Sequence, residues 1–197
     1  MKINNLLILV IICFINACQG DSEEKAEPIA EQKYLLAVTY DNYAWGASHA
    51  GIFVDIEGNF YHYYHDKGDN DGYLSVNEVA EQSEIELTKV MGGAGTLLET
   101  LDIEVIKEIK SIASRVTSHN FTESQQRCHD SGSIRFFSFY FNINTQMYTP
   151  TLLEKTGGLA QVNLSPSAKE LVNWLDTKSS EYQLGLNSDD CSYIPED

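Results

Sequence analysis

Two pairs of β-prone segments, each joined by a short turn, most constrain what this chain can fold into. The first pair, 49–55 and 60–64, flanks the turn sequence Glu-Gly-Asn at 57–59. The second pair, 134–142 and 146–153, is joined by a turn that contains two asparagines. Short turns of this composition between β-prone segments are typical of β-hairpins. Because a hairpin pairs its strands antiparallel, the pattern predicts an antiparallel sheet.

Helices are predicted as separate blocks between these hairpins. Two segments have apolar residues at three- and four-residue spacing, which is the period of one helix face. The first follows Asp102 and the second follows Ser165, and both residues are of N-cap type. Ser75 and Glu78 have the spacing of a capping box and predict a further short helix. The expected fold is therefore a single α+β domain, with an antiparallel sheet built from hairpins and two main amphipathic helices.

Composition limits the class of protein and its partners. The chain has 197 residues, of which 43% are hydrophobic and 21% charged, and such a chain forms one globular domain of ordinary size. Acidic residues outnumber basic ones 29 to 13, and the formal net charge is -16. A polyanion of this kind is repelled by phosphate backbones, so we expect no nucleic-acid partner.

The N-terminus has the pattern of an export signal. Lys2 precedes an unbroken apolar run at 6–15, which spans roughly 15 Å as a helix, about half of the hydrocarbon core of a bilayer. A cation followed by a short apolar run is typical of a secretory signal peptide. The segment 15–18 (Ile-Asn-Ala-Cys) resembles the lipobox of bacterial lipoproteins. That resemblance implies that cleavage removes 1–17 and that palmitate-class acyl chains on Cys18 anchor the protein to a membrane.

The residues after the lipobox predict a tether and a location. The resemblance to lipoproteins of diderm bacteria implies that Gln19, which is not an aspartate, directs the protein to the outer membrane. Residues 18–32 carry five acids and almost nothing apolar, so they are expected to form an acidic tether. The globular domain is expected at 33–178, and a polar tail at 179–197. The predicted location is the cell envelope.

Two cysteines, Cys128 and Cys191, remain in the mature domain once the signal is removed and Cys18 is lipidated. In an oxidising compartment an even number of cysteines favours a disulfide bond. A bridge between Cys128 and Cys191 would pin the tail and contribute roughly 4 kcal/mol by loop closure. The alternative is that Cys128 is a reactive thiol.

We expect that the protein has no cofactor. The alternative is that it binds calcium. The segment 67–78 resembles the calcium-binding loop of the EF-hand family, with acids at loop positions three and five and a glutamate at position twelve. The resemblance implies Asp69, Asp71, Ser75 and Glu78 as metal ligands. The first loop position holds a lysine where the family has an aspartate, and a polar turn accounts for the same residues.

A second resemblance concerns catalysis. His49 precedes an apolar strand, His62 lies on the return strand, and Cys128 follows later in the chain. This order resembles the circularly permuted branch of the papain-like peptidase superfamily, which includes the lecithin retinol acyltransferases. It implies His49 as base, His62 as its orienting partner and Cys128 as nucleophile. In that family the cysteine opens a helix, whereas the residues after Cys128 predict a strand.

The sequence therefore favours a lipid-anchored envelope protein with a non-catalytic binding or interaction role, whose partner is an envelope protein or a small molecule. A strip of aromatic residues at 136–141 is expected to bury one face in the core and to offer the other for binding. The alternative function is a cysteine-dependent hydrolase or acyltransferase that uses His49, His62 and Cys128.

Overall fold

The computed structural model describes residues 31–42, 48–65, 75–91, 93, 95–127 and 132–186. The signal peptide and most of the tether lie outside these residues. The same is true of five residues singled out above, namely Cys18, Cys128, Cys191, Asp69 and Asp71. The predicted lipidation and disulfide therefore stay predictions, as does the greater part of the calcium loop.

Within the described residues one antiparallel sheet of nine strands dominates the fold. The strands are β1 Tyr34–Asn42, β2 Ser48–Asp55, β3 Asn59–His65, β4 Gln82–Ser83, β5 Thr96–Thr100, β6 Gln125–Gln126, β7 Ser133–Asn142, β8 Met147–Gly157 and β9 Leu159–Val162. Their order in the sheet is β5-β3-β2-β1-β7-β8-β9-β6, with β4 paired to β8. Each named strand pair is antiparallel, and hairpins join β2 to β3 and β7 to β8. This confirms the predicted α+β class with a sheet built from hairpins.

The turn between β2 and β3 shows why the first hairpin forms locally. Asp55 Oδ1 accepts hydrogen bonds from the backbone N–H groups of Glu57, at 3.0 Å, and Asn59, at 2.8 Å. Gly58 has a φ of 92°, a conformation in which residues with a side chain are strained. The side chain of Asp55 and the glycine together close the turn and so fix the strand register.

Three helices accompany the described strands: α1 Glu84–Val90, α2 Ile103–Ala113 and α3 Pro166–Glu181. Asp102 caps α2 as predicted, because its Oδ1 accepts from the N–H of Glu104 at 2.8 Å. Ser165 precedes α3, although its side chain makes no capping bond. None of the helices in the described part of the chain combines the length and the apolar character that spanning a membrane requires.

The helix predicted to open at Ser75 is absent from the described residues around it, and the N-cap of α1, Ser83, lies eight residues later. Its capping box consists of Ser83 and Glu86, which exchange side-chain and backbone hydrogen bonds. At the predicted site, Asn77 Oδ1 instead accepts from the N–H groups of Val79 and Ala80, at 3.0 and 3.1 Å. Such a local side-chain turn competes with helix formation, and the contact of Glu78 with Arg135 takes that glutamate away from a capping role.

Both faces of the sheet are covered. Helices α2 and α3 pack on one face, where the core includes Leu36, Ile52, Phe60, Ile106 and Leu171. Helix α1 and the segment before it pack on the other face, and we call the two sides the α2/α3 face and the α1 face. The core on the α1 face includes Tyr34, Phe53, Leu87, Phe137 and Tyr148.

This arrangement corrects the prediction of an exposed aromatic strip at 136–141. Phe136 is buried in the core on the α2/α3 face, while Phe137 and Phe139 are buried in the core on the α1 face. Tyr140 is 67% exposed and marks the point where the covering ends. The strip is therefore core on both faces, because helices cover both sides of the sheet.

The packed body extends past the boundary predicted at residue 178. Helix α3 continues to Glu181, and Leu186 is buried in the core on the α2/α3 face. Tyr182 and Leu184 pack against the same core. Residues 179–186 are therefore held by apolar contacts of their own, which the polar composition of the tail concealed.

Candidate functional site

One end of the central strands holds His49 and His62, two of the residues singled out above that the structure describes. There the strand register pairs Asp41 with His49, and His49 with His65. Paired residues in an antiparallel sheet point to the same side, and neighbours along a strand point to opposite sides. Asp41, His49 and His65 therefore share the α1 face. Tyr40 and Ala50 point to the α2/α3 face at the same end.

A buried ion pair lies at the centre of the α1 face at this end. Asp41 is 3% exposed, and its Oδ2 accepts a hydrogen bond from Nη2 of Arg135. Its Oδ1 lies 2.5 Å from Nδ1 of His49. Burial alone would raise the pKa of Asp41, but the hydrogen bond from His49 and the charge of Arg135 outweigh it and lower that pKa. The carboxylate is thus held in its charged form.

His49 uses both ring nitrogens for structural contacts. Its Nε2 lies 2.7 Å from the carbonyl oxygen of Val90, the last residue of α1. The Asp41 carboxylate and the Val90 carbonyl oxygen are both acceptors, and they occupy the two ring nitrogens of His49. His49 therefore ties β1, β2 and α1 together, and both of its nitrogens are engaged in these contacts.

Glu78, the predicted twelfth residue of the calcium loop, contacts two cations of the sheet. Its Oε1 accepts from Nζ of Lys155 at 2.9 Å and from Nη1 of Arg135 at 3.3 Å. Arg135 Nη1 also donates to the carbonyl oxygen of Val76 at 3.3 Å. The carboxylate thus joins the segment before α1 to β7 and β8. In the described part of the chain, His, Cys, Asp and Glu side chains form no group of three that could hold a metal.

Tyr63 lies in the same part of the α1 face, paired with Gly51 across β2 and β3. A Cβ atom on Gly51 would lie 2.5 Å from the Tyr63 hydroxyl oxygen and would also meet the carbonyl oxygen of Val38. The aromatic ring therefore takes the space that a side chain at residue 51 would need. Burial raises the pKa of Tyr63 well above its usual value, so the phenol stays protonated.

The structure does not bring His49 and His62 together. His62 pairs with Ile52 and therefore points to the α2/α3 face, whereas His49 points to the α1 face. Asp41, not His62, is the residue that orients His49. Desolvation lowers the pKa of His62, so its ring is neutral near pH 7.

On the α2/α3 face at this end lies a cleft of about 510 Å³, within the size range of small-molecule sites. Five strands and the segment after α3 supply its lining. We call it the strand-end cleft. The described lining residues are Tyr40, Ser48, Ala50, His62, Tyr64, Ile134, Thr156, Gly157, Gln183, Leu184, Gly185 and Leu186.

The cleft has an apolar floor and a polar rim. Ala50, Ile134 and Leu186 are buried and form the floor. At the rim, Tyr64 is 58% exposed and Gln183 is exposed as well. The described lining holds no aspartate, glutamate, lysine or arginine. A cleft of this kind can bind a ligand, and its described lining includes one imidazole, that of His62.

Comparison with protein-family models, with curated proteins and with solved structures finds no match to this chain. The sequence reasoning missed Asp41 and Arg135, although Arg135 lies within a β-prone apolar run and Asp41 directly follows one. Charged residues are almost never fully buried unless they are paired, so their position in or next to such runs was a signal for a buried pair.

Proposed function

We propose that this protein is a lipid-anchored cell-envelope protein whose domain binds a small molecule or an envelope component without catalysing a reaction. The observation that carries the binding role is the strand-end cleft. Its volume of about 510 Å³, its apolar floor and its few polar rim groups are the usual attributes of a ligand site. Most of its described lining comes from five strands of one hydrogen-bonded sheet, so this part of the site is preformed.

The sequence supports the location. The apolar run at 6–15 and the lipobox-like segment that ends at Cys18 favour export and lipidation. The acidic residues of the tether would extend it and keep the domain off an anionic membrane surface. We infer an outer-membrane anchor from Gln19, with the domain and its cleft facing the aqueous side.

The geometry gives the cysteine-hydrolase alternative little support. Both nitrogens of His49 are engaged, with Asp41 and with the Val90 carbonyl group. His62 lies on the opposite face of the sheet. A general base needs a free nitrogen within hydrogen-bond reach of its nucleophile, and His49 has none in this arrangement.

An environment-sensitive dye tests the binding role. All contacts described above lie between residues 31 and 186, so a chain that starts at residue 19 retains them. We expect the neutral dye N-phenyl-1-naphthylamine to gain fluorescence when it enters the strand-end cleft. Ser48→Trp would fill the cleft and weaken dye binding by roughly tenfold, which corresponds to about 1.4 kcal/mol.

Thr149→Trp is the matched control, because Thr149 is an exposed strand residue at the far end of the sheet. This variant should bind the dye as the unchanged chain does. Equal dye binding by Ser48→Trp and the unchanged chain would contradict the assignment of the cleft, and so would the absence of any binding.

A further inference from the structure

We propose that the strand-end cleft binds a neutral saccharide, an inference that rests on the binding role proposed above. Three features lead to this ligand class: the absence of charged side chains from the described lining, the exposed tyrosine at the rim, and the hydroxyl and amide groups around it.

The first property of the ligand that the lining residues determine is its charge. The chain carries a formal net charge of -16, yet no acidic or basic residue is among the described lining residues. The imidazole of His62 is neutral near pH 7, because desolvation lowers its pKa. A charged ligand placed here would lose water without gaining a counter-ion from these residues, which is unfavourable. The described lining residues therefore favour an uncharged ligand.

The second selection is between a fully apolar ligand and one that carries polar groups. The apolar floor of Ala50, Ile134 and Leu186 is already buried. The exposed polar groups at the rim are the phenol of Tyr64 and the carboxamide of Gln183, whereas the Tyr40 hydroxyl already accepts a hydrogen bond from Nδ2 of Asn42 at 3.0 Å. An aliphatic ligand that covered the two rim groups would displace their water without replacing its hydrogen bonds, at a cost in free energy. A ligand with hydroxyl or amide groups would satisfy them.

Tyr64 adds the shape criterion. Its ring is 58% exposed at the rim and presents a flat apolar surface with a polar tip. A pyranose ring has a matching form, with C–H groups on its face and hydroxyl groups at its edge. Gln183 and Ser48 supply an amide and a hydroxyl group, which can both donate and accept. The cleft thus combines a stacking surface with neutral hydrogen-bonding groups, as a saccharide requires.

The test uses the full lipidated chain in a zwitterionic detergent that has no sugar headgroup. Isothermal titration with N,N′,N″-triacetylchitotriose, a neutral trisaccharide, should give saturable binding. Tyr64→Ala should weaken that binding by roughly tenfold, the equivalent of one lost aromatic contact. Tyr140→Ala is the matched control, since Tyr140 is also an exposed strand tyrosine but lies outside the cleft lining. It should leave the affinity unchanged.

Two charged trisaccharides test the selection for a neutral ligand. Trigalacturonate and triglucosamine should show no binding that depends on Tyr64. Failure of the unchanged chain to bind the neutral trisaccharide would overturn the inference, as would an equal loss in Tyr64→Ala and Tyr140→Ala. If the neutral dye still occupies the cleft in that case, the binding role stands and only the saccharide class is refuted. If neither compound binds, both proposals fail.

Discussion

Replacing Asp41 by asparagine should destabilise the domain by several kcal/mol, although the two side chains have nearly the same size. Asp41 is buried and faces two hydrogen-bonding partners, Arg135 and His49. An amide in its place removes the negative charge and leaves the guanidinium group, which is also buried, without its closest counter-ion. Removing one partner of a buried ion pair costs about 3–5 kcal/mol.

Glu78 reduces this cost, because its carboxylate also contacts Arg135. Glu78 is more exposed than Asp41 and lies 3.3 Å from the guanidinium group, so it compensates only in part. We therefore expect a loss near 3 kcal/mol, the lower end of the range for a broken buried pair. For a domain of this size such a loss lowers the melting temperature by roughly 6–12 °C.

Urea unfolding of the chain from residue 19 measures the loss. The matched control is Glu104→Gln, because Glu104 forms an exposed ion pair with Lys107, and exposed pairs are worth at most about 1 kcal/mol. A double-mutant cycle with Arg135→Met should give a coupling energy of about 1–3 kcal/mol between residues 41 and 135. A loss below about 1 kcal/mol for Asp41→Asn would refute the argument that this pair stabilises the sheet end.

Four further predictions concern the titration of Asp41, the space at Gly51, the two cysteines of the mature domain and Cys18. Because the pKa of Asp41 is lowered in the folded state, its contribution to folding stability is complete above about pH 4 and is lost as the pH falls through that lowered pKa. In acid titrations, the difference in stability between the unchanged chain and Asp41→Asn should therefore shrink as the pH falls below about 4. Gly51→Ala should cost about 1–3 kcal/mol in urea unfolding, because the new methyl group would meet a phenol and a backbone carbonyl oxygen. If Cys128 and Cys191 are bridged, each serine variant and the double variant should lose the same stability, about 4 kcal/mol, whereas a loss for Cys128→Ser alone would argue against the bridge. Cys18→Ala should abolish lipidation in radiolabelled palmitate incorporation, and normal membrane anchoring of that variant would contradict the lipobox interpretation.

Local signals in the sequence predicted the hairpins and the two longer helices. The turn at 57–59 closes through Asp55 and Gly58, which are neighbours in the chain, and Asp102 caps the helix that follows it. Such contacts depend on a few adjacent residues, so the sequence pattern is sufficient to predict them.

The choice between two capping boxes was not local. Ser75 and Ser83 are each followed three residues later by a glutamate. The first glutamate, Glu78, instead contacts Arg135 and Lys155, which lie 57 and 77 residues further along the chain. The second, Glu86, is left to cap its helix. Tertiary contacts thus decided which of two equivalent local signals became a helix.

His49 and His62 show the same limit of prediction from local sequence. Strand positions that share a face follow from the register, and the register pairs residue 49 with 65 and residue 52 with 62. One residue of slip in the turn would have placed His62 on the face of His49. The hairpin could be predicted from its composition, whereas the side to which each histidine points required the register itself.

The ion pair and the strand-end cleft share the same strands, and this links stability to binding. Asp41 and His49 alternate with Tyr40 and Ala50 along β1 and β2, and Arg135 alternates with Ile134 on β7. Contacts on the α1 face therefore fix the strand ends whose other side forms the cleft. Loss of the Asp41 carboxylate should weaken ligand binding without touching the ligand, because the strand ends would no longer be held in one arrangement. A charged network on one face of this sheet thus supports the strand ends that line the proposed binding site on the other.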